Sequence, residues 1–197
     1  MSKNERPRAT GVPAPMVIAA TRHWIETLVV GLGLCPFARP ALERDLVRLV
    51  VVDALGAVDA LQRLADEATA LLGGDERDAT ALLLLPEGFG DFDDYLDLVA
   101  LAEALLEDLG HVGELQIASF HPDYRFADEP PNDAANCTNR APYPMLQLLQ
   151  EESVSRAVDR HPDPDGIPTR NMERMRALGV AGVRALLVPG PGTGPIH

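Results

Sequence analysis

The sequence has little cysteine, few basic residues and no long uninterrupted apolar run. Its two cysteines, Cys35 and Cys137, stand 102 positions apart in 197 residues, which excludes a disulfide-dense secreted scaffold and favours two free thiols. No apolar run has the length of a membrane-spanning helix, and the N-terminus lacks the apolar core of a signal peptide. These absences predict a cytoplasmic protein without a membrane partner.

The shortage of positive charge is concentrated in one region. The chain has 17 Lys and Arg against 30 Asp and Glu, for a net charge of −13. Between Asp53 and Gly110, 15 acidic residues face only Arg63 and Arg77, so the rest of the chain is close to neutral. Without a basic stripe to neutralise phosphates, a nucleic-acid partner is excluded. Solvated acidic helix faces account for the excess.

The alternation of apolar and polar residues predicts an α/β fold. Predicted helices cover 15–31, 58–72, 91–109, 143–159 and 168–178, and predicted strands cover 46–52, 80–85 and 114–120. The order indicates a small three-stranded parallel βαβαβ core with an N-terminal helix and two C-terminal helices. We predict one globular domain over 16–188, a disordered tail over 1–15 and a flexible tail over 189–197.

The stretch of 28 residues from Gln116 to Tyr143 begins in the third predicted strand and continues after it as a polar, proline-rich connection. Right-handed crossovers place the carboxyl ends of all three strands at one sheet edge, where α/β proteins bind ligands. Long polar connections that begin at such an edge are usually functional. The side chains available for chemistry there are His121, Asp123, Tyr124, Arg125, Asp133, Asn136, Cys137, Thr138, Asn139, Arg140 and Tyr143.

His121 and Asp123 are the predicted catalytic pair, with Tyr124 beside them. An imidazole titrates near neutral pH, so His121 suits general acid–base catalysis with Asp123 as the orienting group. Alternatively, the His-x-Asp pair supplies two ligands to a divalent metal, or both residues satisfy backbone groups at a proline turn. No other histidine is close in sequence, so the metal is the less favoured alternative and no cofactor is assigned.

Asn139 and Arg140 form the predicted anion site. They precede Pro142-Tyr143-Pro144, where we predict a helix start, and a helix N-terminus with an adjacent arginine favours carboxylate or phosphate. Tyr143 and Asn136 complete the predicted substrate site. The alternative is that Asn139 caps local backbone while Arg140 pairs with one of the many acids.

Cys35 is the remaining candidate. Its Leu-Cys-Pro-Phe-Ala stretch is similar to the Cys-Pro-Phe stretch of glutaredoxin-like and glutathione-transferase-like proteins, in which a helix N-terminus lowers the pKa of the cysteine. This resemblance implies either a reactive or a substrate-facing thiol, with Cys137 as a potential redox partner. A buried, inert Cys35 is the competing interpretation.

Three separated motifs resemble one bacterial family, domain of unknown function 1415. They are Leu34-Cys35-Pro36-Phe37-Ala38, residues 118–124 with Phe126-Ala127, and Thr138-Asn139-Arg140 with Pro142-Tyr143-Pro144. The resemblance extends from about Val17 to Leu187 and implies a compact cytoplasmic protein of one domain, without an assigned reaction. Cys137 stands where the family pattern has tyrosine, and Gln147 and Gln150 stand where it has histidine and arginine, which weakens a metal hypothesis further.

Together these features predict a small cytoplasmic enzyme that acts on a polar, anionic small molecule. Two alternatives stay open: a thiol-dependent redox protein that uses Cys35, and a non-enzymatic acidic module that binds a basic partner.

Overall fold

The computed structural model describes residues 11–53 and 56–188. The predicted C-terminal tail and the first ten residues of the predicted N-terminal tail lie outside the described residues. The elements in chain order are α1 (Ala14–Trp24), which continues as a π-helical turn (Ile25–Val30), α2 (Ala38–Glu43), β1 (Val47–Val51), α3 (Ala57–Leu72), β2 (Thr80–Leu84), α4 (Phe92–Asp108), β3 (Leu115–Phe120), a 3₁₀ helix (Ala134–Thr138), β4 (Met145–Gln150), α5 (Glu151–Arg160) and α6 (Ile167–Leu187).

The four strands form one mixed sheet in the order β1-β2-β4-β3. β1 pairs parallel with β2, and β4 pairs antiparallel with both β2 and β3. The α/β class is therefore confirmed, while the prediction of three parallel strands is wrong in one respect. β1, β2 and β3 do run in the same direction, but β4 lies between β2 and β3.

The prediction of one helix over 143–159 is wrong for its first half, which forms a strand. Met145–Gln150 forms β4, and only Glu151–Arg160 is helical. Leucine, glutamine and methionine are all good helix formers, so local propensity pointed to the wrong element. The hydrogen bonds and burial available between β2 and β3 overrode that preference.

The sheet is covered by helices on both faces. Along β2, Ala81 and Leu83 face a core with α3 and α4, while Leu82 and Leu84 face a second core with α1 and α6. All five residues of β2 are buried, as expected for an inner strand with both faces covered. Among the described residues, no helix has the length and hydrophobicity needed to cross a bilayer.

Helix α4 is fixed at its start and in its middle. The Asp91 carboxylate accepts hydrogen bonds from the backbone N–H of Asp93 (2.9 Å) and Asp94 (3.2 Å), which caps the helix. One turn later, the fully buried Tyr95 hydroxyl donates to Met145 O at 2.8 Å and accepts from Phe120 N at 3.0 Å. Tyr95 thus joins α4 to the adjacent ends of β3 and β4.

Helix α6 is longer than predicted and contains a break. Gly179 has φ 68° and ψ 162°, outside the helical region, in a conformation that side chains disfavour. Upstream of the break, Arg176 forms ion pairs with Glu129 (2.6 Å) and Asp133 (3.0 Å) of the polar connection. The first half of α6 is therefore attached to the connection that follows β3.

Candidate functional site

The carboxyl ends of β1, β2 and β3 lie at one edge of the sheet, together with the start of β4. Val51 pairs with Leu84, Leu84 pairs with Met145, and Met145 pairs with Phe120. The polar connection starts at this edge with His121, and the loop that leads into α4 leaves it after Leu84. The candidate site is built from these two segments.

His121 is buried under the site. Its side chain has no exposed surface. Nε2 lies 3.0 Å from Phe89 O, and Nδ1 accepts a hydrogen bond from the backbone N–H of Asp123 at 3.0 Å. This pattern requires the proton on Nε2, which donates to Phe89. His121 therefore ties the loop before α4 to the start of the polar connection, and both ring nitrogens are occupied by backbone.

The predicted contact between the Asp123 carboxylate and the His121 ring is replaced by a contact with the Asp123 backbone. The same bond occurs a second time in the chain, where Nδ1 of His161 accepts from the backbone N–H of Asp163 at 3.1 Å. Both sites have the sequence His-Pro-Asp. The interaction is thus a local property of this tripeptide turn, and it does not by itself indicate catalysis.

The burial of His121 makes the stability of the protein depend on pH. Burial disfavours the imidazolium and lowers the pKa of His121 from its ordinary value of about 6.5. As the pH falls through 6.5, the unfolded chain takes up a proton at His121 that the folded chain does not, so the free energy of unfolding decreases.

The pH dependence is measurable as a difference between two proteins. We expect urea denaturation of the wild type to show a loss of stability between about pH 7.5 and pH 5.5 that is smaller in His121→Leu. The carboxylates contribute equally to both proteins and cancel. Identical pH dependence of the two free energies would contradict the assignment.

The asparagines of the polar connection bind its own backbone. The buried Asn136 accepts from Phe126 N at 2.9 Å and donates to Pro130 O at 2.8 Å. Asn139 donates to Ser119 O at 3.2 Å. These side chains hold the connection in shape, so the structure gives the two predicted substrate-binding asparagines a positioning role.

Arg140 is held by the same connection. Its Nε donates to Tyr124 O at 3.1 Å and its Nη2 to Pro131 O at 2.9 Å, while its own carbonyl accepts from the indole N–H of Trp24 at 2.9 Å. The predicted helix N-terminus beside it is absent, because Pro142-Tyr143-Pro144 leads into β4. An anion at this place therefore depends on the guanidinium and not on a helix dipole.

The charge of Arg140 is not compensated within the described part of the chain. No carboxylate there lies within 4.0 Å of its guanidinium. The other half-buried arginine among the described residues, Arg156, forms ion pairs with Asp78 and Glu152, both at 2.7 Å. Arg140 is thus a rigidly held cation without a carboxylate partner in this part of the chain.

Arg140 faces a cleft of about 380 Å³ between the start of α4 and the polar connection. The cleft is lined by residues 90–93 on one side and by Asp123, Arg125, Pro131 and Arg140 on the other. The Arg125 guanidinium lies 5.3 Å from the centre of the Phe92 ring and 3.5 Å from the Asp93 carboxylate. The cleft therefore contains charges of both signs.

Sequence reasoning missed the α4 side of this cleft. Asp91 and Asp93 were placed only in the first turn of the predicted helix over 91–109. A parallel order places the residues after β2 at the same edge as the residues after β3, so the topology itself was the signal that indicates their proximity.

The predicted tyrosines lie beside the cleft and not in its lining. Tyr124 packs on Phe92 and Phe126, with ring centres 5.5 Å and 5.1 Å apart. Tyr143 packs against the core formed with α1 and α6. Both rings anchor the polar connection to the body of the protein, and neither side chain touches the cleft surface.

The surroundings of Cys35 do not lower the pKa of its thiol. It is half-buried in the turn before α2, and burial raises the pKa of its thiol, an effect that the N–H groups of Phe37 and Ala38 only partly offset. Burial also raises the pKa of Cys137. Both shifts are opposite to the lowered pKa that a reactive thiolate needs. Cys35 is also absent from the lining of the cleft.

No set of three or more His, Cys, Asp or Glu side chains converges on a potential metal position within residues 11–53 and 56–188. His121 and Asp123 therefore have no third ligand of these types among the described residues. Both ring nitrogens of His121 are occupied by backbone groups, Nε2 by Phe89 O and Nδ1 by the Asp123 N–H.

Comparison with known proteins gives one result. The model of a family described as protein of unknown function (DUF1415) matches residues 16–185. No curated protein and no solved structure matches the chain.

Proposed function

Since the chain belongs to DUF1415, a family of proteins of unknown function, we propose from its structure that it binds a small, polar, anionic molecule in the cleft between α4 and the polar connection. Arg140 is the principal contact of the anionic group. One observation carries this proposal: a half-buried guanidinium is fixed by two carbonyls, lines a cleft and has no carboxylate partner among the described residues.

The geometry suits a ligand oxyanion. The hydrogen bonds at Nε and Nη2 use two of the five N–H donors of Arg140, and the residue lines the cleft. Charge-assisted hydrogen bonds to carboxylate or phosphate are about twice as strong as neutral ones. Because the side chain is already ordered, little rotamer entropy is lost when the ligand binds.

We propose further that the protein is a small cytoplasmic enzyme and that Asp123 exchanges a proton with the bound molecule. The Asp123 side chain lines the cleft and is solvent-exposed, whereas His121 lies below it with both nitrogens occupied. In this proposal Asp123 is the catalytic residue and His121 is a positioning residue, since it holds the Asp123 backbone. The proposal thus keeps both members of the predicted His121–Asp123 pair but exchanges their roles.

Removal of the Arg140 charge will weaken ligand binding. We expect a thermal-shift screen against phosphorylated and carboxylated metabolites to identify a stabilising class, and calorimetry to show at least tenfold weaker binding in Arg140→Gln, a loss of about 1.4 kcal/mol. Arg140→Lys, which keeps the charge without the planar fork, should lie between the two.

The control is Arg160→Gln, which removes the same charge from the exposed end of α5, away from the cleft. We expect less than a twofold change for this variant. Circular dichroism of each variant without ligand separates lost binding from lost fold. An anion that binds Arg140→Gln as tightly as the wild type would contradict the proposed function.

The acidic interaction module stays a weaker alternative. It predicts a partner whose recovery falls as salt rises, since interactions between exposed charges are screened. The acidic helices supply net charge to such a partner, but the cleft supplies a fixed cation with a defined geometry. We therefore give the small-molecule site priority.

A further inference from the structure

Most charged side chains that line the cleft already contact other groups of the protein. The Asp91 carboxylate caps α4 through two backbone N–H groups. Arg125 lies on Phe92 and beside the Asp93 carboxylate. Of the remaining cleft charges in the part of the chain that the structure describes, the Asp123 carboxylate neither caps a helix nor forms an ion pair, and Arg140 has no carboxylate partner.

Asp123 and Arg140 do not neutralise each other, although they line the same cleft. No ion pair within 4.0 Å joins them. Each is fixed through the backbone instead. The turn that begins at His121 holds Asp123, and the carbonyls of Tyr124 and Pro131 hold the Arg140 guanidinium. Beside the Asp91 cap and the Arg125–Asp93 pair, the cleft thus presents the Arg140 guanidinium and the Asp123 carboxylate, both carried by the polar connection.

We propose that the ligand is zwitterionic, with a carboxylate or phosphate for Arg140 and an ammonium group for Asp123. This inference rests on the proposed function, because Arg140 serves in both. It narrows the ligand class to aminocarboxylates and aminoalkyl phosphates. A molecule with both charges satisfies both groups of the cleft, whereas a simple anion leaves the Asp123 carboxylate as a source of repulsion.

The size of the cleft agrees with this class. Its volume of about 380 Å³ is near the lower end of small-molecule pockets. The cleft is open to solvent along the exposed side chains of Asp123 and Arg125, so the ligand keeps contact with water. Such a site suits a small polar metabolite and disfavours a large apolar one.

The test compares ligands that differ only by the amino group. The pairs are phosphoethanolamine with ethyl phosphate and 4-aminobutyrate with butyrate, so that one pair carries phosphate and the other carboxylate. Calorimetry with the full chain measures each affinity in the wild type, Asp123→Asn and Arg140→Gln. Asp128→Asn is the matched control, since it removes an exposed carboxylate of the same connection outside the cleft.

We expect the wild type and Asp128→Asn to bind the amino-bearing member of one pair at least fivefold more tightly. In Asp123→Asn the ratio of the two affinities should fall to about one. The amino-bearing member loses the carboxylate that binds its ammonium group, whereas the affinity for the amino-free member does not decrease. In Arg140→Gln both members of the pair should weaken.

Three results would overturn the inference. Equal binding of both members to the wild type, with loss of both in Arg140→Gln, would leave the proposed anion site standing and remove the zwitterion. A preference that persists in Asp123→Asn would place the ammonium elsewhere. No binding of any of the four probes would count against both the inference and the anion site.

Discussion

Replacement of His121 with leucine will lower the free energy of unfolding by about 3 kcal/mol. The side chain has no exposed surface and binds Phe89 O and Asp123 N, both at 3.0 Å. Leucine has a similar volume but no polar atom, so it leaves the carbonyl of the buried Phe89 and the N–H of Asp123 without partners. A buried polar group without a partner costs about 1 to 3 kcal/mol. Urea denaturation gives the difference directly.

The chain supplies its own control for this experiment. His161→Leu removes the same Nδ1 bond from the other His-Pro-Asp turn, but its ring is half-buried and water can replace the lost contact. We expect a cost below about 1 kcal/mol there. If the two substitutions were equally costly, burial and the Phe89 bond would not be the reason for the His121 effect.

Tyr95→Phe will have the second-largest effect, about 2 to 3 kcal/mol. The substitution removes only the hydroxyl, which donates to Met145 O and accepts from Phe120 N. The hydroxyl belongs to a side chain without exposed surface, and it joins the buried Met145 at the start of β4 to the half-buried Phe120 at the end of β3. The cost is that of backbone groups left without a partner and not of lost packing.

Tyr143→Phe is the matched control, because no hydrogen bond of the Tyr143 hydroxyl occurs among the described residues and its ring packs on the other side of the sheet. We expect its unfolding midpoint in urea to change by an amount equivalent to less than about 0.5 kcal/mol. A cost for Tyr95→Phe as small as that of Tyr143→Phe would show that the bridge between α4 and the strand ends adds nothing to stability.

The parts of the fold that follow from local pattern were predictable. β2 combines a short continuous apolar run with Pro86 immediately after it, and α4 starts at a cluster of aspartates and ends before Gly110. These signals act within a few residues of the chain. The predicted bounds of both elements are close to those of the structure.

β4 was not predictable in this way, because its signal is not local. Met145 to Gln150 has the composition of a helix, and its strand conformation depends on partners more than 20 and more than 60 residues away. The structural context of Arg140 was predicted wrongly for the same reason. The residue is where the sequence suggested a site, but the predicted helix after it is a strand.

The location of the cleft was predictable, but the contacts of its polar side chains were not. Sheet topology located the edge, and Asp123 and Arg140 do line a cleft there. The sequence could not show which polar side chains bind backbone, so His121, Asn136 and Asn139 all looked available for chemistry. Their partners, such as Phe89 and Pro130, become visible only when the chain is folded.

The position of β4 also determines when this chain can fold. The strand is the last of the four to be synthesised, yet it is the one that joins β2 to β3, and its Met145 pairs with Leu84, 61 residues earlier. Until residue 150 has left the ribosome, β2 and β3 both have unpaired edges, a state that favours aggregation. A fragment that ends at residue 144 therefore lacks a completed sheet. Closure of these long loops, and not helix formation, should set the folding rate.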